Sequence, residues 1–110
     1  WGEDWAGKAI REAVERGASY YGTSAGAMLA SETMIAGNGD LPGTTIFRKG
    51  LGLTSFVVES HMKERKRLPR LEWTLKQSGR TKAIGLSEGE WVKITNGVPI
   101  PKNGSPLIRN

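Results

Sequence analysis

A serine set between two glycines, Gly22-Thr23-Ser24-Ala25-Gly26, falls where a short aromatic run (ASYYG, residues 18–22) gives way to small helix-forming residues. Few patterns restrict a backbone more. A strand that must turn at once into a helix has little room, and glycine provides it. Two readings follow. The segment is a glycine-rich corner with an incidental serine, or the turn is strained so that the Ser24 hydroxyl stands clear of the sheet. In the second reading the Ala25 N–H points toward an oxyanion formed beside Ser24, and the next helix adds the positive end of its dipole.

The surrounding sequence supports an α/β chain. Residues 3–16 place Ala6, Ala9, Ile10, Ala13 and Val14 on one helical face and charged residues on the other, with Gly17 as C-cap. Residues 18–22 fit a buried strand, 25–35 a helix, and 37–43 (GNGDLPG) a loop. Strands are expected at 44–48 and 54–59, then a helix from Pro69 to about Ser78. Further strands are expected at 81–88 and 90–95. Asn96-Gly97 predicts a hairpin into Val98, with a last short strand at Leu107-Ile108. This order predicts a layered α/β domain, and no internal linker divides residues 1–110.

Composition narrows the chemistry. With 110 residues and no cysteine, disulfides, thiolate metal sites and cysteine nucleophiles are excluded. One histidine, His61, without carboxylates at ligand spacing predicts no metal site and no cofactor. No apolar run is long enough to cross a bilayer, which predicts a soluble, cytoplasmic chain with no membrane partner. The net charge of +5 concentrates in KERKRLPR, residues 63–70. That run is a solvated helical face or an anion-binding surface.

A serine hydroxyl needs a base, and the base an orienting acid. His61 is the one available imidazole, and it follows an apolar strand whose end could bring it to Ser24. Glu59, Glu64, Glu88 and Glu90 are all candidate acids, and spacing does not choose among them.

Together, GTSAGAML, SHMKERKRLPRL and AIGLSEGEWVKI resemble the S51 serine peptidases, in particular the cyanophycinase-like branch, a family that also holds aspartyl dipeptidases. The resemblance runs from Ile10 to Ile94. It implies a class I glutamine amidotransferase-like fold: a layered αβα sandwich with a mainly parallel sheet. It also implies Ser24 as nucleophile, His61 as base and Glu88 as the orienting acid, beside the Ala25 N–H that the turn itself offers as oxyanion donor. By the same resemblance Arg65, Arg67, Arg70 and Glu59 shape a substrate pocket. Arginine forks suit carboxylates, so the implied partner is a peptide with acidic groups and not nucleic acid. This chain departs from the branch at Glu59-Ser60, where cyanophycinases have Asp-Gln, and at Met62, where they have an aromatic residue. Those changes argue against cyanophycin itself.

Family members run to roughly twice this length. The resemblance, with a first residue that is Trp1 and not Met, predicts an incomplete domain: the C-terminal part, whose sheet edge is covered by an upstream half-domain or by a second copy. The competing readings are a non-catalytic remnant or binding module on the same scaffold, and a basic nucleic-acid-binding domain. The last is weakest, because aromatic residues do not interleave with the basic run.

Overall fold

A strand buried on both faces organises the molecule. The computed structural model describes residues 5–110. Strand β3 (Val57–Glu59) pairs in parallel with β4 (Ala83–Gly85), and β4 pairs antiparallel with β7 (Leu107–Arg109). Every residue of β3 and β4 is buried. Alternation then sends Val57 and Ala83 to one face and Val58 and Ile84 to the other.

The first face is covered by helix α3 (Leu68–Ser78), through Leu71 and Leu75, and by Ile35 of strand β1 (Thr33–Asn38). Pro69 stands in the first turn of α3, where its missing N–H costs nothing, and Gly79 ends the helix at φ 73°. β1 forms an antiparallel hairpin with β2 (Thr45–Lys49), and a bulge at Ala36 shifts its register. The second face holds Phe56, Val58 and Ile84. It is covered by Ala27 and Met28 of helix α2 (Ala25–Leu29), by Val92 and Ile94 of β5 (Trp91–Thr95), and by Ile108. β5 turns through Asn96-Gly97 into β6 (Val98–Asn103), as the turn dipeptide predicts.

Helix α1 (Trp5–Glu15) lies at the periphery, and its part of the expected 3–16 helix that falls on residues 3–4 is outside the described residues. Its end is a Schellman motif. The Ala18 N–H donates to the Ala13 carbonyl and the Gly17 N–H to the Val14 carbonyl, with Gly17 at φ 104°.

Two sequence expectations are corrected. Residues 18–22 belong to no strand; Tyr21 is 87% exposed, and no described strand pairs with them. The helix expected over 25–35 stops at Leu29. Its last carbonyls are taken by tertiary donors: the Leu51 N–H bonds the Leu29 carbonyl and the Leu53 N–H the Ala30 carbonyl. Ser31 then bridges to Thr54, and 33–38 become β1. The expected mainly parallel sheet is not what the described residues form, since of their strand pairs only β3–β4 is parallel. The α/β class holds, with small mixed sheets. Among the described residues no helix is long and apolar enough to cross a membrane.

Candidate active site

Ser24 occupies the turn into α2 with φ 50° and ψ −120°, a region L-residues rarely enter. The turn is possible because Gly22 lies against the helix start. A Cβ there would stand 2.5 Å from the Gly26 carbonyl oxygen and 2.8 Å from the Ala27 nitrogen. Gly26 is less constrained, since its Cβ would meet only the Tyr20 hydroxyl, at 3.9 Å. That hydroxyl donates to the Gly26 carbonyl at 2.6 Å, tying the approaching chain to the helix, and partial burial raises its pKa. No backbone carbonyl among the described residues accepts the Ala25 N–H, so this donor is open beside Ser24.

β3 delivers Glu59, Ser60 and His61 at its carboxyl end, the end of a parallel pair at which open α/β sheets place their sites. His61 also has positive φ, 53°, and its Nε2 lies 3.2 Å from the Ser24 Oγ. The loop is fastened to the end of β4. The Met62 N–H donates to the Leu86 carbonyl and the Leu86 N–H to the Glu59 carbonyl. The Met62 side chain lies where a Cβ on Gly85 would fall, so a larger residue at 85 would displace it.

Glu88 follows β4 in an exposed turn. Its N–H donates to the Glu64 carboxylate at 3.1 Å, and among the described residues no carboxylate is bonded to His61. The expected contact from Glu88 to the imidazole is therefore not made in this arrangement. Glu90 is held elsewhere: it accepts from the Ser87 and Ser105 N–H groups and pairs with Lys63 at 3.7 Å. The Ser87 bond leads in holding its carboxyl below the ordinary range; the Ser105 bond and Lys63 add to this, while burial opposes it.

Glu59 is also placed differently from the expected substrate contact. Its side chain is fully buried and spent on protein partners. Oε2 accepts from Arg70 Nε at 2.6 Å. Oε1 accepts from Arg70 Nη2 at 2.9 Å, Arg67 Nη1 at 3.3 Å and the Ser60 N–H at 3.1 Å. Arg70 Nη1 donates to Asn38 Oδ1 at 2.7 Å. Burial and the neighbouring Arg70 charge lower the pKa of Arg67, and Glu59 partly offsets them. The Ser60 hydroxyl turns to the Met28 sulfur, 3.1 Å away.

Ser24, Ala25, His61, Arg65, Arg67 and Arg70 all line one open cleft of about 270 Å³, joined by Asn38 and Ser60. Three arginines within six residues converge because 61–66 are irregular, with Lys66 at φ 49°, and α3 begins only at Leu68. A larger depression of about 430 Å³ at the other end of the β1–β2 hairpin is lined by Glu32, Thr33, Phe47, Arg48, Lys49 and Arg80. It holds no nucleophile and base together, so size alone does not locate the chemistry. No cluster of histidine and carboxylate side chains among the described residues could hold a metal ion.

The model of peptidase family S51 matches residues 1–99. The chain belongs to that family. No curated protein matches the chain. Within this S51 chain, Asn38 and Tyr20 are the site neighbours that sequence reading missed. Asn38 falls in a stretch read as a loop (GNGDLPG), and the partner that brings it to the cleft, Arg70, is 32 residues away.

Proposed function

We propose that this S51 chain is a serine peptidase that cleaves an aspartyl-type or related acidic peptide bond in the manner of the cyanophycinase-like branch. The observation that carries the reading is the 3.2 Å approach of the His61 Nε2 to a Ser24 hydroxyl held on a positive-φ turn. Ser24 Oγ attacks the scissile carbonyl carbon while His61 Nε2 takes its proton. The carbonyl oxygen becomes an oxyanion that the Ala25 N–H stabilises. As the C–N bond breaks, the imidazolium returns the proton to the leaving amine. Water, deprotonated by His61, then attacks the acyl-enzyme and releases the acid and free Ser24.

Glu88 is the acid assigned to His61 Nδ1. The adjacency of the His61 loop to the segment after β4, through the Met62–Leu86 bond, supports this assignment; a movement of the exposed 88–89 turn would make the contact. A second oxyanion donor is assigned to a polypeptide segment docked beside residues 18–23, which are exposed except at Tyr20, either an upstream half-domain or a second copy. In that assembly β3 and β4 belong to a mainly parallel sheet of a layered αβα sandwich.

The test is labelling with a fluorophosphonate, read by peptide mass spectrometry. Adduct on Ser24, lost in His61→Ala, is the expected result. One observation favours a second reading: among the described residues no carboxylate touches His61. A non-catalytic binding module would leave Ser24 unlabelled, and that outcome would replace the peptidase reading.

A further inference from the structure

Ala36, Gly37 and Asn38, at the end of β1, line the same cleft as Ser24 and His61. The bonds at the two ends of the β1–β2 hairpin fix which way their main-chain groups point. In an antiparallel pair, opposed residues alternate between those that exchange both bonds and those whose N–H and C=O turn outward. At the far end the Gly50 N–H donates to the Glu32 carbonyl, so Thr33 and Lys49 are an outward pair. Met34 and Arg48 then face each other, and Ile35 and Phe47 turn outward again. Carried on without interruption, that alternation would turn residues 36 and 38 inward, to β2. The bulge at Ala36 adds one residue and resets it. Beyond the bulge the Gly39 N–H donates to the Thr44 carbonyl, which makes Asn38 and Thr45 an outward pair. The Asn38 N–H and carbonyl therefore leave the hairpin at its outer edge, and among the described residues neither has a hydrogen-bond partner. Asn38 is exposed, and its side chain is anchored to Arg70 Nη1 at 2.7 Å.

We propose that the outer edge of β1 at Asn38 is a main-chain docking subsite: its N–H donates to, and its carbonyl accepts from, one residue of an extended peptide substrate. The peptide adds a short strand beside β1, with its scissile carbonyl presented to Ser24. The inference rests on the peptidase reading above and names how that site would hold a peptide backbone whatever its side chains. One donor and one acceptor side by side on a strand edge match the main chain of an extended residue. The substrate is the occupant assigned to this edge because the edge opens into the cleft that holds the Ser24–His61 pair. The bulge thereby has a function: without its extra residue the same two groups would be spent on β2. The bond from Arg70 fixes Asn38 from the side-chain direction and leaves its backbone to the ligand.

The experiment is calorimetric titration of the full chain carrying Ser24→Ala with the peptide Ala-Ala-Asp-Ala-Ala and its singly N-methylated analogues. Methylating the amide that donates to the Asn38 carbonyl should weaken binding about tenfold, the size of one hydrogen bond, and methylating its neighbours much less. Asn38→Pro removes the N–H and keeps the carbonyl; an outer edge tolerates proline because β2 receives nothing from that group. Asn38→Ala keeps both and loses only the bond to Arg70. The proline chain should bind the unmethylated peptide about tenfold more weakly than the alanine chain, with thermal unfolding as the check that both fold. If the proline chain does not fold, the N-methyl series decides alone. No binding of the peptide, a flat N-methyl series, or equal binding by folded proline and alanine chains overturns the proposal. So does sedimentation showing a dimer that Asn38→Pro dissolves and Asn38→Ala does not, which would give the edge to a second copy. Fluorophosphonate labelling of the parent keeps the two readings apart. Labelled Ser24 with a flat series leaves the peptidase and removes the docking edge. N-methyl-sensitive binding without labelling leaves the edge and removes the peptidase.

Discussion

His61 leaves a strand buried on both faces, whereas Ser24 sits in a stretch that faces solvent from Gly17 to Ala25 except at Tyr20. The histidine arm is tied down many times over. β3 is paired with β4, the loop is bonded to Leu86, and Glu59 locks Arg67 and Arg70 beneath it. The serine arm packs Ala27 and Met28 on the core, but before α2 it is held by little: the Tyr20 hydroxyl on Gly26 is the side-chain bond that ties the approaching chain to the helix. The lesson is that the 3.2 Å Ser24–His61 distance is only as secure as its weaker arm. Damage to the histidine arm should register as lost stability. Damage to the serine arm should register first as lost labelling.

The largest effect is expected at the stronger arm. Glu59→Ala leaves two largely buried guanidiniums without their carboxylate. Breaking a buried ion pair from one side costs about 3–5 kcal/mol, which urea unfolding would read. A loss near zero would mean that Arg67 and Arg70 reach solvent easily and that the two arms are alike.

On the serine arm, Gly22→Ala drives a methyl into the Gly26 carbonyl at 2.5 Å. Overpacking of this kind costs about 1–3 kcal/mol, and here the strain falls on an exposed turn that can yield. Ser24 labelling should fall steeply while the melting temperature moves modestly. If stability and labelling fall together, the elbow is as integral to the core as β3.

Tyr20→Phe removes one hydroxyl and leaves the ring. A net loss of about 1 kcal/mol is expected for that hydrogen bond, with slower labelling of Ser24. Unchanged labelling would show that Gly22 packing alone holds the turn.

The smallest effect concerns Glu90, outside both arms. Its folded pKa lies below the ordinary 4.5, held there chiefly by the Ser87 N–H. The stabilisation is therefore present above the unfolded value and is lost as pH falls through the lower folded one. Acid unfolding of the parent followed by circular dichroism should show a loss beginning below pH 4.5 that Glu90→Gln reduces. An identical acid limb in the two proteins would mean that the Ser87 and Ser105 bonds do not depend on the charge.

Local chemistry alone determined a good part of this protein. Gly17 as a cap, Pro69 at a helix start, Asn96-Gly97 as a hairpin and Ser24 on a strained turn each follow from what one or two residues permit. The pairing of Ser24 with His61 was legible as a chemical need, since only one imidazole exists. Tertiary structure decided the rest. α2 ended at Leu29 because residues 51–54 captured its carbonyls, a competition that helix propensity cannot register. Residues 18–22 have strand composition but no described neighbour to bond, and a strand exists only as a pair. Glu59 and Glu88 look alike in sequence. One lies buried against two arginines and the other in an open turn, because charge is read at short range and only folding brings residues 59, 67 and 70 together.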